Sequence, residues 1–137
     1  MLTTTELGPL VKTIAFTQVS FDPYAVRQVR RWLGDKMLHF PEELRMSAQV
    51  IMSELVTNAI KHAIPVITAS LALRIDGYTV QVTDGSSMVP TLTLPVPADQ
   101  DHGRGLRVVD ELAERWGYWT SPGHKCVFAV LKPLGEY

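Results

Sequence analysis

Two runs of β-forming residues, 68–75 and 78–83, are separated only by the dipeptide Asp76-Gly77. Asp-Gly is among the strongest signals for a two-residue hairpin turn, because these residues tolerate the positive φ angles that such turns require. We therefore predict two adjacent antiparallel strands at this point. Such a hairpin argues against the strand–helix–strand alternation of a purely parallel sheet and favours an antiparallel or mixed one.

The other predicted elements surround this hairpin. Pro41, followed by two glutamates, favours a helix start, and Pro65 marks the end of that helix. Before the first hairpin, the predicted elements are an edge strand over 10–21, a helix from Tyr24 to about Leu38, and a long helix from Pro41 to about Ala63. After it come a connection over 85–102, a helix opened by 103–105 with apolar residues as far as Trp116, and a hairpin of 116–120 and 125–131. This order predicts a two-layer α/β sandwich with about five strands, mainly antiparallel, and helices on one face.

The composition fits one domain of this kind. The chain has 137 residues, 46% of them hydrophobic, which suffices for a single core without disulfides or a structural metal. The single cysteine, Cys126, cannot form an internal disulfide and favours a reducing, cytoplasmic setting. The histidines and this cysteine lack zinc-ligand spacing, so no zinc site is expected. A net charge of −1 argues against nucleic acid as the main partner. Residues 1–16 lack the basic start of a signal peptide, and no apolar run approaches the ~20 residues that span a bilayer.

The long predicted helix carries polar residues along the border of its apolar face. At about 100° per residue, one arc collects the residues predicted to face the core, namely Leu44, Ala48, Ile51, Met52, Leu55, Ala59 and Ala63. Glu54 and Asn58 lie one turn apart at its edge, and His62 continues the row. Glu54 and Asn58 are either ordinary solvated residues or, beside a nucleotide, a proton acceptor and a Mg²⁺ ligand. His62 either caps the helix end, which we favour, or contacts phosphate or ribose.

Two further motifs suit a nucleotide site. Asp84-Gly85 is either a simple turn or a carboxylate that accepts a hydrogen bond from the exocyclic amine of adenine. Gly103-Arg104-Gly105 precedes a predicted helix, whose exposed backbone N–H groups can hold phosphates, with Arg104 as an added charge. The connection over 85–102 contains three prolines and is longer than most loops, which indicates a functional loop.

Taken in order, these segments resemble the nucleotide-binding boxes of the gyrase, heat-shock, histidine-kinase and MutL superfamily of ATPases. The matching sequences are Glu54-Leu-Val-Thr-Asn58-Ala-Ile-Lys-His62-Ala, Val82-Thr-Asp84-Gly85, Gly103-Arg-Gly105-Leu106, and Trp116-Gly117 with Gly123-His124-Lys125. The chain is most similar to the small stand-alone anti-sigma-factor serine kinases and their actinobacterial relatives, over about residues 20–131.

The resemblance implies the left-handed-crossover α/β sandwich known as the Bergerat fold, with residues 85–102 as an ATP lid. It implies ATP and Mg²⁺ as cofactors, with Asn58 as the Mg²⁺ ligand and Glu54 as the catalytic proton acceptor. It also implies that Asp84 reads adenine and that residues 103–105 close over the phosphates.

Two positions depart from the family's pattern. The acidic box usually reads Asp-x-Gly, whereas Ser86 stands where the glycine is expected. Many relatives carry a threonine in the last hairpin that helps the aspartate to hold adenine through water, and we expect Cys126, a weaker hydrogen-bonding group, to take that place. Modest adenine affinity is therefore expected. Met88 and Leu106 either pack around the base or belong to the core.

The resemblance implies two functions of different classes. One is a kinase that uses ATP to phosphorylate a serine or threonine of a small antagonist protein. The other is a nucleotide-responsive module that sequesters a sigma factor without phosphotransfer, and a scaffold with a degenerate site is a third alternative. The implied partners are a sigma factor and/or an anti-sigma antagonist. A homodimer through the first strand and helix stays open, since Val19, Phe21, Tyr24 and Trp32 suit either an interface or the core.

Overall fold

The computed structural model of the chain describes residues 2–3, 7–62, 66–85 and 104–133, with the backbone alone described at residues 2, 3, 62, 104 and 105. In chain order the elements are β1 (Leu2–Thr3), β2 (Leu10–Val19), α1 (Ala25–Lys36), α2 (Glu42–His62), β3 (Ile67–Arg74), β4 (Gly77–Asp84), α3 (Arg104–Leu112), β5 (Ala113–Ser121) and β6 (His124–Leu131). Every helix and strand predicted from the sequence is present, with bounds shifted by a few residues.

The strands form one sheet in the order β1-β5-β6-β4-β3-β2. Strands β2 to β6 pair antiparallel, which confirms the predicted five-stranded arrangement. The two-residue strand β1, which was not predicted, pairs in parallel with β5. As predicted, β2 lies at an edge of the sheet. Register shifts near Lys12 and Ala15 interrupt its pairing with β3 and therefore its regular alternation of faces.

The two hairpin turns differ slightly from each other. In the first hairpin the turn occupies Ile75 and Asp76, one residue earlier than predicted, and Gly77 opens β4. Gly77 still supplies the unusual backbone, with a φ of 136°. In the second hairpin the turn is at Pro122-Gly123, as predicted, and Gly123 has a φ of 82°. Both glycines adopt backbone angles that side-chain-bearing residues rarely do.

The hydrophobic core lies between the sheet and the three helices. Five members of the predicted apolar arc of α2 are buried, Leu44 is half-buried, and Ala63 lies outside the described residues. Ser53 and Val56 of α2 are also buried, so the covered face is wider than predicted. Val80 and Val82 of β4 belong to the same core cluster, and α2 packs on this strand. None of the helices in the described residues is long and apolar enough to span a membrane.

The boundary between α3 and β5 corrects the sequence prediction. The helix was expected to carry apolar residues as far as Trp116, but it ends at Leu112, and Ala113 and Trp116 lie on β5. An irregularity between Ala113 and Arg115 inserts one residue into the pairing with β6. Ala113 and Trp116 therefore share one face despite their three-residue spacing, and both are buried. Because of this bulge, two buried residues of a strand have the three-residue spacing that is typical of a helix.

Candidate active site

Glu54 and Asn58 lie together at the border of the buried face of α2. Both side chains are half-buried, whereas Leu55 and Ala59, which follow them along the helix, are buried in the core. A four-residue spacing brings two helical side chains onto the same stripe. The structure thus presents a carboxylate and an amide side by side at the edge of the core.

The helix surface beside Glu54 is fixed by contacts with α1. The Ser53 hydroxyl donates to the carbonyl of Gln49 at 2.7 Å and accepts from Nε of Arg30 at 2.9 Å. The Gln49 amide in turn donates to the Arg30 carbonyl at 3.0 Å. These bonds hold α1 and α2 in register next to Glu54. A cavity of about 350 Å³ opens there, and it is lined by Arg30, Met46, Gln49, Val50, Ser53 and Glu54.

Asp84 is the last residue of β4 and faces the helices. Successive side chains of a strand alternate between faces, so Asp84 shares the face of Val80 and Val82, which pack in the core with α2. Its side chain is buried, with 2% exposure of the residue. The simpler interpretation of Asp84-Gly85 was a turn, and in the structure Asp84 is a buried carboxylate at the end of a strand. Gly85 follows as a half-buried bend.

Lys125 stands directly opposite Asp84, and sequence reasoning did not identify it as a site residue. The pairing of β4 with β6 places Asp84 against Lys125 and Thr83 against Cys126. The Lys125 residue is only 3% exposed, and its Nζ lies 3.5 Å from Oδ2 of Asp84. Lysine is rarely buried to this extent without a charged partner. Lys125 belongs to the Gly123-His124-Lys125 motif of the sequence, but only the β4–β6 register identifies it as the residue beside Asp84.

Cys126, which was expected to assist Asp84 at the base, pairs with Thr83 in this register. Cross-strand partners share a face, so Cys126 lies with Thr83 on the side of the sheet opposite Asp84 and Lys125. Cys126 is fully buried there, and burial raises the pKa of its thiol to about 11 despite a hydrogen bond with Thr83. A buried thiol with a raised pKa is unreactive at neutral pH, and the expected role of Cys126 at the base stays a prediction.

The start of α3 occupies the place that the glycine motif predicted for it. The helix begins at Arg104, Gly105 lies in its first turn, and α3 packs against α2. Leu106 is 3% exposed and belongs to the core cluster, and its contact with the base stays a prediction. Gly103, Met88, Ser86 and the predicted lid beyond Gly85 lie outside the described residues, and their expected roles stay predictions.

His62 is the last residue of α2 in the structure, one turn beyond Asn58. This position suits the helix-end role that we favoured, because a cation is stabilised at the C-terminal end of a helix. Within the described ranges, no group of three or more His, Cys, Asp or Glu side chains could hold a metal ion. A single Asn that shares Mg²⁺ with phosphate oxygens and waters needs no such group.

Comparison with known proteins places this arrangement in a family. A family model described as the histidine kinase-like ATPase domain matches residues 19–131. The structure is similar to that of the RsbU and RsbW domains of Rv1364c from Mycobacterium tuberculosis, with a TM-score of 0.61 and 18% identity over 87% of this chain. This chain spans 33% of the length of that one, and at this identity the likeness shows the fold alone. None of the curated proteins matches the chain in sequence. The match over most of its length shows that the chain belongs to the histidine kinase-like ATPase domain family.

Proposed function

We propose that the chain binds ATP with Mg²⁺ beside α2, β4 and α3 and phosphorylates a serine or threonine of a small antagonist protein. The observation that carries this proposal is the joint placement of Glu54 and Asn58 at the border of α2, which packs on the strand that ends in the buried Asp84. Membership of the histidine kinase-like ATPase family supports the nucleotide, and the resemblance to anti-sigma-factor kinases supports the acceptor.

The chemistry of the side chains fits Mg²⁺ and ATP. Mg²⁺ prefers oxygen ligands and usually keeps several waters and phosphate oxygens, so the Asn58 amide oxygen is a sufficient protein ligand. Asp84 accepts a hydrogen bond from the base, and the backbone N–H groups that open α3 bind the phosphates. The bound nucleotide supplies the phosphoryl group. His62, Arg104 and the lid with Met88 complete the proposed site.

Glu54 is the proposed proton acceptor for the attacking hydroxyl. A carboxylate within reach of that hydroxyl, directly or through one water, can take its proton as phosphate is transferred. The cavity of about 350 Å³ beside Glu54 gives an acceptor side chain an approach from the α1 side. Arg30 lines this cavity and its Nε donates to the Ser53 hydroxyl, so a guanidinium stands beside the approach.

The proposed partners are an antagonist protein and a sigma factor, in a cytoplasmic setting, and the chain is proposed to form a homodimer. For the homodimer, the relevant feature is the edge strand β2 with the segment that follows it. Phe16 is 70% exposed and Tyr24 is 64% exposed, and Phe21 is also exposed, whereas Val19 is buried and Trp32 half-buried. Exposed aromatic residues along a sheet edge favour contact with a second chain.

A second candidate is a nucleotide-responsive module that sequesters a sigma factor without phosphotransfer. The departures from the family's pattern at Ser86 and Cys126 motivate this candidate. The two candidates share the nucleotide site and differ only in whether Glu54 acts on an acceptor.

Nucleotide binding is tested by calorimetric titration of ATP and ADP, with and without Mg²⁺. We expect Mg²⁺-dependent ATP binding that Asn58→Ala weakens by at least about tenfold, since a ligand to the metal is lost. Gln49→Ala is the matched control, because it removes an amide nine residues earlier on the same helix. Binding of neither nucleotide by the unmodified chain would refute the proposal.

Phosphotransfer is tested with γ-labelled ATP and a candidate antagonist protein as acceptor. Glu54→Gln should retain ATP binding and lose phosphotransfer by at least about a hundredfold, the usual contribution of a general base. Undiminished transfer by Glu54→Gln would remove Glu54 from its proposed role. ATP-dependent sigma-factor binding without any transfer would favour the second candidate.

A further inference from the structure

The buried ion pair of Asp84 and Lys125 is a feature that a hydrophobic core does not require. The neighbouring side chains on the same face of β6 are Val127 and Ala129, which belong to the hydrophobic core. Two apolar residues could occupy positions 84 and 125 equally well, because burying two charges costs free energy that their attraction offsets only in good geometry. The buried pair of Asp84 and Lys125 is therefore better explained by a ligand than by packing.

The hydrogen-bonding groups at position 6 and N1 of a purine explain which contact a lysine adds to the carboxylate of Asp84. A carboxylate alone accepts from the 6-amino group of adenine, but it faces the 6-oxo group of guanine or hypoxanthine as a second acceptor. A site with Asp84 alone thus rejects 6-oxopurines. A lysine ammonium only donates, so the pair offers one acceptor and one donor, with Nζ and Oδ2 3.5 Å apart.

The pair can satisfy either kind of purine. With adenine, the 6-amino group donates to Asp84 and ring atom N1 accepts from Lys125. With a 6-oxopurine, the oxygen accepts from Lys125 and the N1–H group donates to Asp84. A carboxylate has up to about four acceptor positions, so a base, Lys125 and other donors can share it.

We propose that Lys125 is a base-reading residue that makes the site accept 6-oxopurine nucleotides, GTP and ITP, as well as ATP. This inference rests on the proposed nucleotide site at Asp84 and extends it to the class of nucleotide. Lys125 is the specificity-determining residue because its ammonium is the donor that the 6-oxo group needs.

The first test is a calorimetric titration of the unmodified chain with ATP, GTP and ITP in the presence of Mg²⁺. ATP and ITP differ only at position 6 and the adjoining ring nitrogen, so this comparison needs no variant. We expect the dissociation constants for ATP and ITP to agree within about tenfold. A preference for ATP over ITP greater than about tenfold overturns the inference and leaves the proposed function standing. If none of the three nucleotides binds, the proposed function fails and this inference fails with it.

The second test uses Lys125→Met, which keeps the apolar stem and removes the ammonium. The ratio of GTP to ATP affinity should fall by about 10- to 100-fold, because the 6-oxo group loses a charged donor and then faces the Asp84 carboxylate. The matched control is Lys132→Met, which removes an exposed lysine just beyond the other end of β6 and should leave the ratio unchanged. An unchanged ratio in Lys125→Met overturns the assignment of Lys125.

Discussion

The ion pair between Asp84 and Lys125 should contribute measurably to folding, and a double-mutant cycle can isolate its contribution. The cycle compares Lys125→Met, Asp84→Asn and the double variant with the unmodified chain. Both residues are at most 3% exposed, so solvent screens their attraction little. At 3.5 Å and an effective dielectric constant of about 20, that attraction is about 5 kcal/mol.

The measured cost will be smaller than the bare attraction, because both charges also lose their hydration on burial. Removing one partner of a buried pair leaves the other charge uncompensated, which typically costs about 3–5 kcal/mol. We expect about 3 kcal/mol for Lys125→Met. Asp84→Asn should cost at least as much, because Asp84 has an interaction beyond Lys125.

The double variant should lose less stability than the two single variants together. Once both charges are gone, no buried charge is left uncompensated, so we expect a coupling free energy of about 2–3 kcal/mol. Urea denaturation followed by circular dichroism at 222 nm gives each free energy of unfolding. Lys132→Met serves as the control for loss of a lysine and should change stability by less than about 1 kcal/mol. Additive effects of the two substitutions would refute the reasoning.

Three further predictions concern other parts of the molecule. Burial raises the pKa of Cys126 from 9.0 to about 11, so the native state holds the thiol proton more tightly than the unfolded chain does. The free energy of unfolding should therefore fall by at most about 3 kcal/mol as the pH rises from 9 to 11. Urea denaturation across this range should show that fall reduced in Cys126→Ala, and an identical pH profile would contradict it. The indole N–H of Trp116 donates to Asp110 at 2.8 Å and lowers the pKa of that carboxyl, so Trp116→Phe should raise the pKa in an NMR titration, and an unchanged value would contradict this. Gly77→Ala should destabilise the fold by about 1–3 kcal/mol in urea denaturation, because alanine is strained at a φ of 136°, and an unchanged midpoint would argue against strain there.

The sequence predicted the local elements well because their signals are local. The apolar arc of α2 follows from its periodicity, and five of its residues are buried in the structure. Both hairpins were predicted from turn residues between β-rich runs, and both are present. The end of α3 was wrong because a bulge in β5 gives Ala113 and Trp116 a spacing that also suits a helix. Strand β1 was missed because two residues carry no periodicity.

Some features of the candidate site could likewise be predicted from local sequence, and others depended on the tertiary structure. Glu54 and Asn58 could be paired from sequence, because four residues on one helix always share a stripe. The sequence by itself thus determined the order of elements, the polar border of α2 and the resemblance to a family of ATPases. The tertiary structure alone decided which residue of β6 adjoins Asp84, because β4 and β6 are separated by α3 and β5 along the chain. A shift of one residue in register exchanges the two faces of a strand. The register of β4 and β6 therefore decides that the buried Lys125, and not the neighbouring Cys126, lies beside Asp84.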